Sequence, residues 1–292
     1  MIATRKPVVA GQFYAGGRDE CLRDSQQFLA ERAIDSILPD KIVAGIVPHA
    51  GWVFSGDVAG QVFSAIKLAN DQVDTVVIFG AAHRYLGSLA AVYDTGGWES
   101  PLGNIAVDEQ LAGEISRLDV ACSDTAAHNG EHSIEVQIPF IQVLFEGADI
   151  VPILAPAASM AVELGRQVGR IISSVGDKRI VCIASTDLTH YGPGYGFCPA
   201  GVGGDGVQWA KETNDKSFIE LALEMEAERL LKDAGEKYNA CGGGAAAAAV
   251  AAAKELGARK GVLLSHTNSN EVMIRKFNQS SQESVGYAGM VF

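Results

Sequence analysis

Six histidines and five cysteines in 292 residues are few enough that their positions carry information. Three of the histidines sit just past short apolar runs, in Val47-Pro-His49-Ala-Gly-Trp52, Gly80-Ala-Ala-His83 and Ser185-Thr-Asp187-Leu-Thr-His190. Imidazole is the commonest metal ligand and titrates near neutrality. One such residue is ordinarily a hydrogen-bonded loop histidine. Three in the same place relative to their strands are candidates for one shared site, because open α/β sheets bind ligands outside the carboxyl ends of their strands. Asp187 lies three residues before His190, a spacing that suits an acid/base pair in which the carboxylate orients the ring; capping of a following turn is the alternative role for Asp187.

Cys241 lies in Asn239-Ala-Cys241-Gly-Gly-Gly244, directly before an alanine-rich stretch that reads as a helix. A helix N-terminus lowers a thiol's pKa and favours the thiolate, which ligates metals and acts as a nucleophile. The alternative is a small buried cysteine in a glycine turn. The glycines themselves suit close helix–sheet packing, since neither a P-loop nor a G-x-G-x-x-G pattern surrounds them. The stretch His128-Asn-Gly-Glu131-His132-Ser133-Ile-Glu135 is not the H-E-x-x-H of zinc proteases. Ser133 or Asn129 is expected to cap a helix there, with Glu131 and Glu135 near its positive end, and His132 is a candidate proton-transfer group. No G-x-S-x-G elbow surrounds Ser185 or Ser265, which argues against a serine hydrolase.

These side chains need a frame. Buried strands are expected at residues 41–47, 74–79, 148–154, 180–184, 261–264 and 285–292, all rich in Val and Ile. Helices are expected over 58–68 and 133–145, where Ile134, Ile138, Ile141 and Phe145 share a face, and around 215–233 and 244–256. Strands alternating with helices predict an α/β fold with a central, mostly parallel or mixed sheet. With no linker or repeat, residues 1–292 read as a single domain. Acidic residues number 35 against 23 basic, a net charge of −12 that argues against a nucleic-acid partner. An odd cysteine count without C-x-x-C, the lack of an apolar leader, and no apolar run of the roughly 18 residues a span requires predict a cytoplasmic protein without membrane attachment.

Taken in order, the motifs resemble the Memo family, also called protein B of the AmmeMemoRadiSam system. They are Lys6-Pro-Val-Val-Ala-Gly-Gln-Phe-Tyr14, Val47-Pro-His-Ala-Gly-Trp52 with Ser55-Gly56, Gly80-Ala-Ala-His83, Glu131-His-Ser-Ile-Glu135, Ser185-Thr-Asp-Leu-Thr-His-Tyr191 and Asn239-Ala-Cys-Gly242. The match spans nearly the whole chain; one departure is Ala15, where the family usually has proline. The resemblance implies a fold similar to class III extradiol dioxygenases. It implies that His49, His83 and Cys241 are metal ligands, Cys241 replacing the dioxygenases' glutamate, that His190 matches their acid/base histidine and His132 a second histidine near the substrate.

A thiolate is softer than a carboxylate and favours copper or zinc, or a more electron-rich iron, so ring cleavage of catechols does not transfer with the resemblance. The expected cofactor is Fe(II) or copper, ahead of zinc. The expected activity is O2-linked redox chemistry on an unassigned substrate, with His190, oriented by Asp187, and His132 moving protons. Two other readings are a non-catalytic binding module for a peptide, metabolite or partner protein, and a metal-handling factor. The family's second name implies radical-SAM and AMMECR-type proteins as partners.

Overall fold

A computed structural model describes residues 4–30 and 38–292; residues 1–3 of the basic amino terminus lie outside the described residues. In chain order the strands are β1 (Thr4–Arg5), β2 (Ala44–Val47), β3 (Thr75–Gly80), β4 (Ala90–Val92), β5 (Gly97–Ser100), β6 (Gly103–Ala106), β7 (Ala121–Ser123), β8 (Asp149–Leu154), β9 (Ile180–Ser185), β10 (His190–Tyr191), β11 (Val262–Asn268) and β12 (Ser284–Val291). The helices are α1 (Arg18–Leu29), α2 (Trp52–Ala69), α3 (Glu109–Ile115), α4 (Ile138–Leu144), α5 (Met160–Ser174), α6 (Gly204–Trp209), α7 (Lys216–Leu223), α8 (Ala227–Lys237), α9 (Gly243–Glu255) and α10 (Ser269–Phe277).

The large sheet runs β10-β12-β2-β9-β3-β8-β4-β7, with β11 paired to the outer side of β12. Its centre, β2-β9-β3-β8, is parallel, and antiparallel partners flank it: β12 beside β2 and β4 beside β8. The fold is therefore α/β with a mixed sheet, as the alternation of strands and helices predicts. A parallel strand buried on both faces must be apolar throughout, and β2, β3 and β9 are fully buried along their lengths. Because β2, β9 and β3 are parallel neighbours, their carboxyl ends emerge side by side.

Helix α9 covers one face of these strands, beneath α5 and α8, while α2 covers β2, β11 and β12 on the other. The alanine-rich sequence of α9 has a packing cause: every residue from Gly243 to Ala253 is buried, and small side chains let α5 and the sheet approach it closely. A Cβ on Gly165 of α5 would lie 2.1 Å from the Ala248 carbonyl oxygen, and one on Gly244 would lie 2.3 Å from that of Pro156.

Several sequence expectations change in detail. The helix expected over 133–145 is a 3-10 turn at Glu135–Gln137 leading into the shorter α4, which carries Pro139 at its start. The helix expected around 215–233 is two, α7 and α8, broken where buried Met225 takes a left-handed backbone (φ 61). A π-turn at Ala210–Asp215 precedes α7. The short strands β4 to β7 carry too few residues to announce themselves by periodicity.

A small sheet, β1-β5-β6, holds the amino-terminal segment. Buried His128 packs edge-on against Tyr93 and Trp98 beside it, and its Nε2–H donates to the Ala91 carbonyl at 3.1 Å. Burial, partly opposed by that carbonyl, lowers its pKa from 6.5 to about 4. The folded ring stays neutral where the unfolded chain already takes up a proton, so this contribution is complete above about pH 6.5 and is lost as pH falls toward 4. Its share of the stability loss between pH 7.5 and pH 5 is expected to be about 2 kcal/mol. Urea unfolding at the two pH values should show that loss shrink by this amount in His128→Gln, which keeps a donor for Ala91; an unchanged loss would refute the assignment.

Candidate metal centre

The three strand ends do converge. His49 follows β2, His83 follows β3, and Ser185 and Asp187 end and follow β9 between them. Ring centroids of His49 and His83 are 5.1 Å apart. A third imidazole joins them: His132 stacks on His83 at 4.9 Å and 7° and meets His49 edge-on at 5.3 Å. One ligand atom from each of His49, His83 and His132 falls within 4.8 Å of the others, a group able to hold a metal ion. They line a crevice of about 430 Å3, shared with Asp187, His190 and Tyr195.

The hydrogen bonds fix which nitrogen of His49 is free. Ser185 Oγ donates to the Ser133 carbonyl at 2.6 Å and accepts from Gln137 Nε2 at 3.1 Å. Its remaining lone pair faces His49 Nδ1 at 3.1 Å, so Nδ1 carries the proton and donates. His49 Nε2 is then the lone-pair nitrogen. The ring is 2% exposed, and burial, reinforced by the neighbouring histidines, holds its pKa well below the usual value.

Glu131 performs the same service for His83. Its carboxylate accepts from His83 Nδ1 at 3.0 Å, from the His83 backbone N–H at 3.2 Å, and from the N–H groups of His132 and Ser133 at 2.8 Å each. Burial alone would raise its pKa; these bonds outweigh burial and hold it far below the carboxylate range. His83 responds in kind, since the Glu131 bond and charge overcome burial and raise its pKa. An imidazole oriented by a carboxylate on one nitrogen, with the other free, is the common form of a metal-ligating histidine. His132, beside the same carboxylate, has its pKa lowered by burial and by His83.

Cys241 lies against this group through His49 alone among the three: Sγ is 3.2 Å from His49 Nε2. Burial and the Asp187 charge push the thiol's pKa up, opposite to the lowering expected at a helix N-terminus. The S–H donates instead, with His49 Nε2 or the Asp187 carbonyl at 3.6 Å as acceptor.

Asp187 and His190 do not make the hydrogen-bonded pair that their spacing suggests. Asp187 Oδ1 accepts from the His49 backbone N–H at 2.7 Å, and Ala50 N–H also bonds the carboxylate, so Asp187 braces the His49 loop. Burial nevertheless raises its pKa. His190 stacks on Tyr195, centroids 5.2 Å apart, and its pKa is lowered by burial against the charge of Asp187.

Sequence reasoning passed over Glu131, Ser185, Gln137, Arg5 and Glu135 as parts of this site. In the sequence Glu131 reads as a charge near the positive end of an expected helix. The anchoring of its segment was not visible: Arg5 donates to the carbonyls of His128 and Glu131 and pairs with Glu135 Oε2 at 2.8 Å.

Among the described residues no helix is long and apolar enough to cross a membrane. The family model described as "Memo-like protein" matches residues 5–291. Among curated proteins the chain is similar to MEMO1 family proteins from Thermococcus onnurineus (37% identity over 302 aligned positions, 99% of each chain), Pyrococcus abyssi (39% over 298, 98% of each) and Nitrosopumilus maritimus (35% over 304, 99% of each).

Proposed function

The chain belongs to the Memo family, and from that premise we propose that its crevice binds a redox-active transition metal, iron or copper ahead of zinc, for O2-linked oxidation of a small organic molecule. The observation that carries this reading is the clustering of His49, His83 and His132 ligand atoms within 4.8 Å. The donor set fits such an ion: imidazole suits iron, copper and zinc alike, and the Nδ1 protons of His49 and His83 are committed to Ser185 and Glu131. Cys241, beside His49 Nε2, is the softer donor available on that side. A bound iron or copper ion supplies one-electron chemistry and polarises oxygen ligands.

The chain's own groups supply the rest. Glu131 and Ser185 set ring orientation, and Asp187 fixes the His49 loop. His190, kept neutral by burial, is the group that takes a proton from a molecule lying in the crevice. Its stack on Tyr195 holds the plane of the ring.

Elemental analysis of protein purified anaerobically, without chelator or an affinity metal column, tests the reading. Near-stoichiometric iron or copper supports it. A chain that stays metal-free and takes up neither Fe(II), Cu(I) nor Zn(II) at micromolar concentration overturns it in favour of a ligand-binding module. A finer expectation concerns Glu131→Gln, which keeps the shape but removes the charge that orients His83. Metal affinity should drop about 10–100-fold, the usual effect of losing a carboxylate behind a ligand; competition titration against a chromogenic chelator measures it, and unchanged affinity would remove Glu131 from the site.

A further inference from the structure

Of the glycine-dense segment 192–206 only Tyr195 borders the histidine crevice, yet the segment and Tyr238 build something more. With Leu188, His190, Ala240 and Cys241 they line a second, half-open chamber of about 540 Å3, walled by Tyr195, Phe197 and Tyr238, which shares His190 and Tyr195 with the crevice. Phe197 packs against Tyr238 with centroids 5.8 Å apart. Left-handed or extended positive-φ glycines at 192, 196, 201 and 203 let the segment fold back and set its two aromatic rings inward. No Asp, Glu, Lys or Arg lines the chamber.

Two further features distinguish it from an incidental gap. Cys241 lines this chamber and does not line the crevice of the three histidines, although its Sγ touches His49 Nε2. Cys241 therefore lies between the two spaces, bordering one while its Sγ touches a histidine that borders the other. Tyr238, second, holds a left-handed backbone (φ 52) while its side chain is 70% exposed. A non-glycine residue in that conformation costs about 1–2 kcal/mol, and so exposed a ring recovers little of it by burial. Glycine or asparagine would close α8 without that cost.

We propose that this chamber binds a neutral, planar aromatic group of a small molecule and is the route by which such a molecule reaches Cys241 from the side away from His49, His83 and His132. Ring edges and faces on three sides favour an inserted ring, and a charged group would lose its hydration with no carboxylate, lysine or arginine in the lining to pair with. The inference stands whether or not the histidines hold a metal.

The test compares two maleimides of the same reactive ring, N-phenylmaleimide and a carboxymethyl maleimide, on the full chain dialysed against chelator. In each the sulfur adds across the ring double bond and its proton ends on the neighbouring carbon, so no oxidant or leaving group is required. Peptide mass mapping reads Cys241 apart from half-buried Cys122 and Cys198 and buried Cys21 and Cys182. N-phenylmaleimide should modify Cys241 about tenfold faster than the charged reagent, the range that one aromatic contact supplies, with a rate that saturates. Phe197→Ala and Tyr238→Gly each remove a wall, and Tyr238→Gly also relieves the backbone. Both should bring the two reagents to similar rates at Cys241 while leaving metal uptake unchanged. Equal rates in the native chain, selectivity that survives both variants, or reaction confined to the other cysteines would each overturn the proposal.

Discussion

His49→Ala should abolish metal loading while the chain remains folded. The substitution removes one of three clustered imidazoles and also the contact that brings Cys241 to the group. Affinity should fall on the order of 100-fold or more, since each tenfold corresponds to about 1.4 kcal/mol and one full donor is lost. The fold should tolerate the change. Ser185 keeps its bonds to Ser133 and Gln137, and Asp187 still accepts the backbone N–H at position 49. Inductively coupled plasma analysis beside a circular dichroism melt reads both halves, and full metal retention in a folded variant would end the assignment. His132→Ala and Cys241→Ala then separate the two donor sets. A greater loss in His132→Ala favours the three histidines that the fold gathers, and a greater loss in Cys241→Ala favours the His49, His83 and Cys241 set that the resemblance implies.

Glu135→Ala should be the most damaging single substitution for stability in the amino-terminal half. The Glu135 carboxylate, 1% exposed, accepts from Arg5 at 2.8 Å, from the Val8 and Val9 N–H groups at 2.9 Å, and from Tyr14 Oη at 3.1 Å. Its removal leaves a guanidinium that is only 4% exposed without its counter-charge. Breaking one side of a buried ion pair costs about 3–5 kcal/mol, much more than the intact pair contributes, because the remaining charge is desolvated and unpaired. Glu135→Gln keeps an acceptor and should cost less. Urea unfolding of the two variants measures the order, and a cost below about 1 kcal/mol for alanine would contradict this account. The prediction bears on the site because Arg5 also holds the carbonyls of His128 and Glu131. Losing the clamp frees the segment that carries Glu131 and His132.

The same contacts explain which parts of the site the sequence disclosed. His49 and His83 could be read from the chain because a buried parallel strand is a local feature: a short Val and Ile run followed by a turn. Parallel neighbours then bring such turns to one edge. Their convergence is borne out at 5.1 Å. The α/β class followed from the same alternation, and the alanine-rich stretch was correctly read as a helix placed for close packing.

Other features depend on distances along the chain that no local pattern reports. Glu131 meets His83 across 48 residues, Ser185 meets His49 across 136, and Arg5 meets Glu135 across 130. Spacing misled at Asp187, whose i,i+3 relation to His190 yields to a stronger pull. The backbone N–H of His49, on the neighbouring strand end, presents a buried donor that a carboxylate must satisfy. At Cys241 the sequence leaves a thiolate at a helix terminus and a small buried cysteine both open, and burial raises the thiol's pKa.

By itself, then, the sequence determined the family, the strand-and-helix alternation and the residue types offered at the strand ends, because these are written in local runs and ordered motifs. Tertiary structure alone decided that His132 stands within ligand distance of His49 and His83, that Glu131 and Ser185 choose their tautomers, and that Cys241 meets the group through His49. Strand order and burial set those outcomes, through hydrogen bonds between groups far apart in the chain and through desolvation that no single segment contains.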